Sequence, residues 1–144
     1  MRTVVIDTNV LVSALLGGGG MSRRVLRACL AGELQPVLGP ALLSEYEDVF
    51  SRAALWDDAL VSQAERDAIL DAFLSRCRWV EVFFAWRPNL PDEADNHLLE
   101  LALAAQAEAI VTKNLRDLTR GELLFPSVQI LTPKEAWEHL LCRH

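Results

Sequence analysis

The sequence predicts an α/β domain in which a mostly parallel five-stranded sheet lies between two layers of helices. Short apolar runs bounded by turn residues alternate with segments of helical periodicity. Those runs lack the apolar-polar alternation of a half-exposed strand, so both faces are expected to be buried, as in parallel sheets. Strands separated by helices need crossover connections, which place helices on both faces. With 144 residues and no linker or repeat, the chain is expected to form a single domain, 1–144.

Each element has its own local signal. The apolar runs predict strands at residues 3–6, 35–38, 79–83, 109–112 and 128–131. Helical periodicity predicts helices at residues 9–15, 22–31, 40–51, 62–76 and 93–107, and a last one from residue 133. Ser62 followed by Glu65 forms a capping box, and Thr132 before Pro133 places a cap next to a first-turn proline.

Composition restricts the class of protein. No apolar run approaches the roughly 20 residues of a membrane span, and the N-terminus is predicted as a strand and not as a signal peptide, so we expect a cytoplasmic protein. The net charge of -6 argues against coating nucleic acid by charge alone. It does not exclude an enzyme, because clustered carboxylates neutralised by bound cations contribute to that sum. Three cysteines without Cys-x-x-Cys spacing predict free thiols.

Acidic residues occur where a doubly wound sheet binds its ligands, beyond the carboxyl ends of the strands. Asp7 directly follows the first predicted strand, Asn114 follows the fourth, and Asp117 comes about one helical turn after Asn114. Glu45 and Asp95 belong to helices that can face the same edge. Carboxylates are the ligands that Mg²⁺ and Mn²⁺ prefer, so together these residues predict a divalent metal site.

A structural interpretation exists for each acid alone. Asp7 and Asp117 are also typical helix N-caps. Glu45 is also typical of an exposed helix position, although the apolar residues near its own face indicate an inward-leaning one. Asp95 lies in an acidic first turn that the helix dipole alone would favour. Only convergence of the four on one cleft favours metal binding.

Three stretches of the chain resemble the PIN-domain nucleases, particularly the bacterial PIN toxins of toxin-antitoxin systems. They are VVIDTNVLVSA at residues 4–14, LLSEYEDVFSR at 42–52, and the segment 95–118, which starts DNHLLELA and ends IVTKNLRDL. Their order and spacing fit nearly the whole chain. The resemblance implies a three-layer α/β/α PIN-like fold.

The resemblance also implies metal-binding roles for Asp7, Glu45 and Asp95. Where many PIN proteins carry a fourth Asp directly after the strand's Thr-x, this chain has Asn114, with Asp117 three residues later. We assign Asp117 as the fourth metal ligand, so that the four catalytic carboxylates are Asp7, Glu45, Asp95 and Asp117. The residues expected to orient the carboxylates by hydrogen bonds are Thr8, Asn9, Thr112 and Asn114.

The predicted activity is that of an endoribonuclease that depends on Mg²⁺ or Mn²⁺ and hydrolyses RNA phosphodiester bonds. In such an enzyme the ions lower the pKa of a bound water and stabilise the leaving oxygen. By resemblance, the protein is expected to be a toxin that forms a homodimer and is held inactive by a small antitoxin protein. Candidate contacts to the RNA backbone are Arg23, Arg24, Lys113 and Arg116. The alternative interpretation is that these side chains form a solvated helix face and bind no RNA.

Two other functions stay open at this stage. A catalytically silent PIN-like domain would bind RNA or a protein without cutting, which Asn114 makes plausible. A phosphotransfer domain would accept phosphate on Asp7 and use Lys113 as its cation, but Asn9 stands where the phosphatase version needs a second Asp. His97 is predicted to be solvated, and neither a ligand nor a base.

Overall fold

The computed structural model describes residues 1–16, 20–56, 59, 61–82, 96–114 and 127–141. The strands are β1 (Arg2–Ile6), β2 (Leu34–Leu38), β3 (Arg78–Trp79), β4 (Ala109–Val111) and β5 (Gln129–Leu131). The helices are α1 (Thr8–Leu15), α2 (Gly20–Leu30), α3 (Pro40–Phe50), α4 (Gln63–Arg76), α5 (Asn96–Ala105) and α6 (Pro133–Ala136). A 3-10 turn (Ala53–Trp56) follows α3, and a π turn (Trp137–Leu141) follows α6.

All five strands pair in parallel, in the order β3-β2-β1-β4-β5, which confirms the predicted fold class. The chain moves outward from β1 through β2 to β3, then returns to the other side of β1 for β4 and β5. The strand order therefore reverses between β1 and β4. Ile6 is in register with Val111, so residues 7 and 112 leave the sheet side by side at this reversal.

The central strands are buried on both faces. Val4, Val5, Ile110 and Val111 have no solvent exposure, and Ile6 is 1% exposed. These β-branched side chains suit a pleated surface covered from both sides. The predicted third strand, 79–83, is the exception, because its pairing covers only Arg78–Trp79. Both of its residues are exposed at the edge of the sheet.

Local interactions fix where the helices begin. The predicted capping box at Ser62 and Glu65 is present, and a second one at Thr132 starts α6. Gly39 precedes α3 at a point of close approach. A Cβ atom there would lie 3.3 Å from Leu101 Cδ1 and 3.4 Å from the Val80 carbonyl oxygen, so a side chain would push α3 away from α5.

The predictions about free thiols and membrane spans can be compared with the described part of the chain. Cys29 and Cys77 are free thiols, and burial raises the pKa of each to about 12. Such thiols stay protonated and unreactive at neutral pH. Cys142 lies outside the described residues. No helix among those described is long and apolar enough to cross a membrane.

Candidate metal centre

Asp7 lies at the carboxyl end of β1, where its backbone N-H still donates to the Val111 carbonyl oxygen at 2.9 Å. It occupies the N-cap position of α1, but its side chain makes no capping hydrogen bond. Instead its Oδ2 accepts from Thr112 Oγ1 at 2.7 Å and from Asn9 Nδ2 at 3.3 Å. The carboxylate is thus held by polar side chains at the strand ends and is not used as a helix cap.

The Asp7 side chain is in an unfavourable place for a negative charge. The residue is only 7% exposed. Burial raises the pKa of Asp7, the hydrogen bond from Thr112 opposes that rise, and the negative charge of Glu45 adds to it. Among the residues that the structure describes, no lysine or arginine forms an ion pair with Asp7. A bound cation would supply the missing compensation.

Glu45 projects from α3 toward the same place and has partners of its own. Thr8 Oγ1 donates to its Oε1, and His97 Nε2 lies 3.1 Å from its Oε2. The hydrogen bond with His97 holds the pKa of Glu45 below its ordinary value, against the opposing effect of burial, and Thr8 lowers it further. Because an ionised carboxylate only accepts, His97 Nε2 is the donor in this pair.

His97 is therefore not solvated, and that prediction is wrong. Its side chain is 20% exposed, and its Nδ1 is buried without a hydrogen-bond partner. Helical spacing carried the relevant signal, because Leu101 lies four residues later on the same face and is 2% exposed. The histidine faces inward, toward Glu45.

The orientation of α3 depends on Tyr46, which the sequence reasoning did not single out. Tyr46 is fully buried, and its hydroxyl donates to the Ile6 carbonyl oxygen, one residue before Asp7. Its ring packs edge-on against Phe73 at 5.8 Å between centroids. This bond ties α3 to the end of β1, so the neighbouring Glu45 faces Asp7.

The remaining predicted supporting residues form one hydrogen-bonded network. Thr112 Oγ1 accepts from Asn114 N at 3.0 Å and lies 3.4 Å from Asn9 Nδ2. Asn9 Oδ1 accepts from Lys113 N at 3.1 Å. The loop after β4 is thereby fixed against the start of α1. Asn114 joins through its backbone N-H.

These groups open onto a cleft of about 620 Å³. It is lined by Asp7, Thr8, Asn9, Val12, Ser13, Leu16, Glu45, Val49, Arg52, Leu55, Lys113 and Asn114. The cleft thus lies at the reversal of strand order, where open α/β sheets bind ligands.

Comparison with known proteins identifies the family of this chain. The model of the PIN domain matches residues 3–116. The chain belongs to the PIN domain family. The match spans Asp7, Glu45 and Asp95 and ends one residue before Asp117.

A solved structure similar to this PIN domain is that of VapBC2 from Rickettsia felis bound to a DNA fragment from their promoter. The TM-score is 0.62 at 18% sequence identity, and the alignment covers 91% of this chain and 98% of that chain. At this identity the likeness concerns the fold. No curated protein matches the chain.

Three predicted site residues of this PIN domain, Asp95, Arg116 and Asp117, lie outside the described residues. Asp95 directly precedes α5, the helix that carries His97. Within the described part of the chain, no group of three or more His, Cys, Asp or Glu side chains could hold a metal ion. The structure therefore brings Asp7 and Glu45 to one cleft and leaves the third and fourth acids as predictions.

Two cations of the PIN domain line the cleft. Lys113 Nζ lies 3.0 Å from Ser13 Oγ and is exposed. Arg52, which the sequence reasoning did not select, pairs with Asp48 at 2.5 Å on the exposed side of α3. The Arg52–Asp48 pair is exposed and contributes little to stability, so the Arg52 guanidinium can turn toward a substrate. The exposed Lys113 ammonium donates to an uncharged hydroxyl, which leaves its charge unbalanced by that contact.

The two predicted cations on α2 are engaged elsewhere. Arg23 donates to the Ala14 and Leu16 carbonyl oxygens at 3.0 and 3.1 Å, which satisfies the end of α1. The Arg24 guanidinium lies over the Trp137 ring, 5.1 Å from its centroid. Neither residue lines the cleft, and their contact with RNA remains a prediction.

Proposed function

We propose that this PIN domain is an endoribonuclease that depends on Mg²⁺ or Mn²⁺. One observation carries the proposal: Asp7 and Glu45 meet in a cleft at the strand reversal, and the buried Asp7 carboxylate has no lysine or arginine partner among the described residues. Oxygen donors with unbalanced negative charge fit a hard divalent cation. Asp95 and Asp117 complete the ligand set in this proposal.

The surrounding residues would position the two carboxylates before any substrate arrives. Thr112 and Asn9 fix Asp7, while His97 and Thr8 fix Glu45. Hydrogen-bonded partners of this kind set the orientation and basicity of metal ligands.

A divalent ion held there supplies a water of lowered pKa and stabilises negative charge on the phosphate. Lys113, exposed on the wall of the cleft, would bind the RNA backbone as a point charge. No described side chain has to act as a nucleophile. The chain's own contribution is the fixed geometry of its carboxylates and the cation beside them.

The proposed partners follow from the family and from the solved complex that resembles this fold. We propose that the protein is the toxin of a toxin-antitoxin pair, that a small antitoxin inhibits it, and that it forms a homodimer in the cytoplasm. The similarity to VapBC2 bound to promoter DNA supports this assignment. Co-expression with the product of an adjacent short gene, followed by size-exclusion chromatography, tests it. A single monomeric species without a partner would contradict it.

The activity itself is tested with purified protein, Mn²⁺ and RNA. We expect Asp7→Asn and Glu45→Gln each to lower the cleavage rate by roughly 100-fold or more, because each removes a charged ligand. Glu47→Gln is the matched control on the exposed side of α3 and should cleave normally. Undiminished cleavage by Asp7→Asn would overturn the proposal.

Calorimetry with Mn²⁺ separates the nuclease from a catalytically silent domain. We expect the wild-type protein to bind Mn²⁺ and Asp7→Asn to lose that binding. The phosphotransfer alternative is less well supported, because Lys113 bonds Ser13, whereas Asp7 is held by Thr112 and Asn9. A beryllofluoride adduct on Asp7 would support it.

A further inference from the structure

Arg66 is a charged residue on the buried face of a helix. The buried residues of α4 are Arg66, Leu70 and Phe73, which share one face at helical spacing. Arg66 is only 8% exposed, and its Nε is buried without a hydrogen-bond partner. In the part of the chain that the structure describes, no carboxylate forms an ion pair with it. Its guanidinium lies instead over the Trp56 ring, 4.9 Å from the centroid.

An arginine in this place is not explained by folding stability. A buried guanidinium carries a desolvation penalty, and an apolar side chain of similar volume often gives the same stability or more. The face of the Trp56 indole recovers only part of that penalty through a cation–π contact. A buried polar group can instead select one arrangement of its neighbours. The neighbour that Arg66 acts on is Trp56, so the contacts of Trp56 indicate the task.

Trp56 holds together two parts of the cleft wall. Its Nε1 donates to the Val49 carbonyl oxygen at 3.2 Å, and its ring packs against Phe50 at 5.0 Å between centroids. Its own carbonyl oxygen accepts from Ala59 N at 3.0 Å, and Ala59 forms an isolated β-bridge with Leu16. Val49 and Leu16 both line the cleft. Trp56 therefore joins the end of α3 to the end of α1.

The turn that ends at Trp56 also determines where a cleft cation lies. Arg52 lines the cleft, and its carbonyl oxygen accepts from Leu55 N at 3.2 Å, directly before Trp56. The Arg52 guanidinium is paired only with the exposed Asp48, which holds it weakly. The backbone of the turn therefore restrains Arg52 more than its side-chain partner does.

The helix α4 thus supports α3 through two aromatic contacts. Phe73 packs edge-on against Tyr46, next to the acid Glu45. Arg66, on the same face of α4, covers Trp56. The first contact supports the acidic side of the cleft, and the second supports the side that carries the cation.

We propose that Arg66 is a positioning residue for RNA binding: by fixing the plane of the Trp56 ring it sets where Arg52 lies in the cleft. Arg66 itself contacts neither RNA nor metal in this proposal, which rests on the proposed nuclease function. A planar guanidinium over an indole restrains the orientation of the ring. A flexible aliphatic side chain would fill the same space without that restraint.

The first arm of the test measures RNA cleavage in Mn²⁺ by the wild type and by Arg66→Met, which keeps an unbranched side chain but removes the charge. We expect KM for RNA to rise about fivefold and kcat to stay within about twofold, because only the placement of a binding group changes. The urea midpoint of Arg66→Met should equal or exceed that of the wild type. Its calorimetric affinity for Mn²⁺ should be unchanged. Arg76→Met makes the same substitution at the exposed end of α4 and should cleave like the wild type.

The second arm tests whether the effect passes through Arg52. In an Arg52→Ala background, Arg66→Met should raise KM by less than about 1.5-fold, since the group that it positions is absent. A general loss of packing would raise KM equally in both backgrounds. Trp56→Phe keeps a ring beneath Arg66 and removes the donor to the Val49 carbonyl oxygen, so KM should rise in the same way. If Arg66→Met does not fold, Trp56→Phe with and without Arg52→Ala decides the question.

Several outcomes overturn the positioning role. An unchanged KM in Arg66→Met, or an equal rise of KM with and without Arg52, separates Arg66 from substrate binding. A lower urea midpoint together with a lower kcat at constant KM would show a packing role only. If the wild type cuts no RNA in Mn²⁺, the proposed function itself fails. Cutting by the wild type with an unaffected Arg66→Met removes only the role of Arg66.

Discussion

The two carboxylates of the cleft differ in how the protein treats their charge. Asp7 sits at the strand ends, 7% exposed, and its pKa is raised by burial and by the negative charge of Glu45. Glu45 sits on a helix with its side chain 35% exposed, and its pKa is lowered by His97 and Thr8. One site therefore contains an uncompensated acid and a compensated one.

The difference assigns the two carboxylates different tasks in the proposed metal centre. Asp7 is shielded from solvent and has no lysine or arginine partner among the described residues, so it has most to gain from a bound cation. Glu45 is already ionised and oriented without the metal, and so can help to recruit it. We expect neutralising the two acids to change the stability of the metal-free protein with opposite signs, and changes to the residues that orient either acid to weaken affinity for the metal.

The largest effect is expected on the Glu45 side. His97→Ala removes the donor to Glu45 Oε2 and should weaken Mn²⁺ binding by roughly 10- to 100-fold, the usual range for a residue that orients a ligand. His97→Gln can place an amide N-H near the position of Nε2 and should restore most of the affinity. Calorimetric titration of the three proteins checks this, and equal weakening by both variants would show a packing role only.

A smaller effect is expected from the Asp7 side. Thr112→Val keeps the shape of a fully buried side chain but removes the donor to Asp7 Oδ2 at 2.7 Å. We expect Mn²⁺ affinity to fall about 10-fold, because Asp7 loses its nearest orienting group. Ser13→Ala, which changes a hydroxyl of the same cleft that bonds Lys113, serves as the control. If the two variants bind Mn²⁺ equally, Thr112 does not orient Asp7.

The stability of the metal-free protein should respond with opposite signs to neutralising the two acids. The pKa of Asp7 is raised above 3.8, so its ionisation opposes folding increasingly as pH rises from 3.8 through the raised value. Asp7→Asn should therefore stabilise the protein by about 1 kcal/mol at pH 7 in EDTA, and less at pH 4.

Glu45 has a lowered pKa, so its charge contributes stability that is present above 4.5 and is lost as pH falls through the folded value. Glu45→Gln should cost about 0.5 kcal/mol at pH 7, a small figure because solvent screens a side chain that is 35% exposed. Urea unfolding in EDTA measures both variants. Changes of the same sign in the free energy of unfolding would show that the charges of Asp7 and Glu45 do not differ in their effect on stability.

The smallest effect is expected on RNA binding, from substitution of the cations Lys113 and Arg23. Lys113→Ala should reduce the slope of log affinity for RNA against log salt concentration by about one, because Lys113 lines the cleft. Arg23→Ala should leave that slope unchanged, since its guanidinium is bonded to the Ala14 and Leu16 carbonyl oxygens. Fluorescence anisotropy over a salt series compares them. A change of slope for Arg23→Ala alone would reverse their roles.

The sequence was sufficient to predict the layers of the fold. Hydrophobic periodicity and capping residues mark elements locally, and both capping boxes are present. The third strand was predicted at 79–83 but is Arg78–Trp79, with one more bond from Val80 N to the Leu38 carbonyl oxygen, because apolar residues there do not reveal where pairing ends. Residue 83 lies outside the described residues. Edge strands depend on neighbours that lie far away in sequence.

For the candidate site, the sequence indicated the residue types but not all of the contacts. Asp7 and Asn9 follow the first predicted strand and Thr112 ends the fourth, so their meeting could be expected from a parallel sheet. The contact of His97 with Glu45 spans 52 residues and joins two helices, and it depends on how both are rotated. Only packing in three dimensions fixes those rotations.

Because β1 lies at the centre of the sheet and pairs with β4, the site can form only after β4 has been synthesised. Thr112, the main hydrogen-bond donor to Asp7, is synthesised 105 residues after it. Until β4 has been made and has paired with β1, no emerging chain can hold the Asp7 carboxylate in its final surroundings. The hydrogen-bonded surroundings of Asp7 are thus acquired late, and a chain that ends before β4 cannot form them.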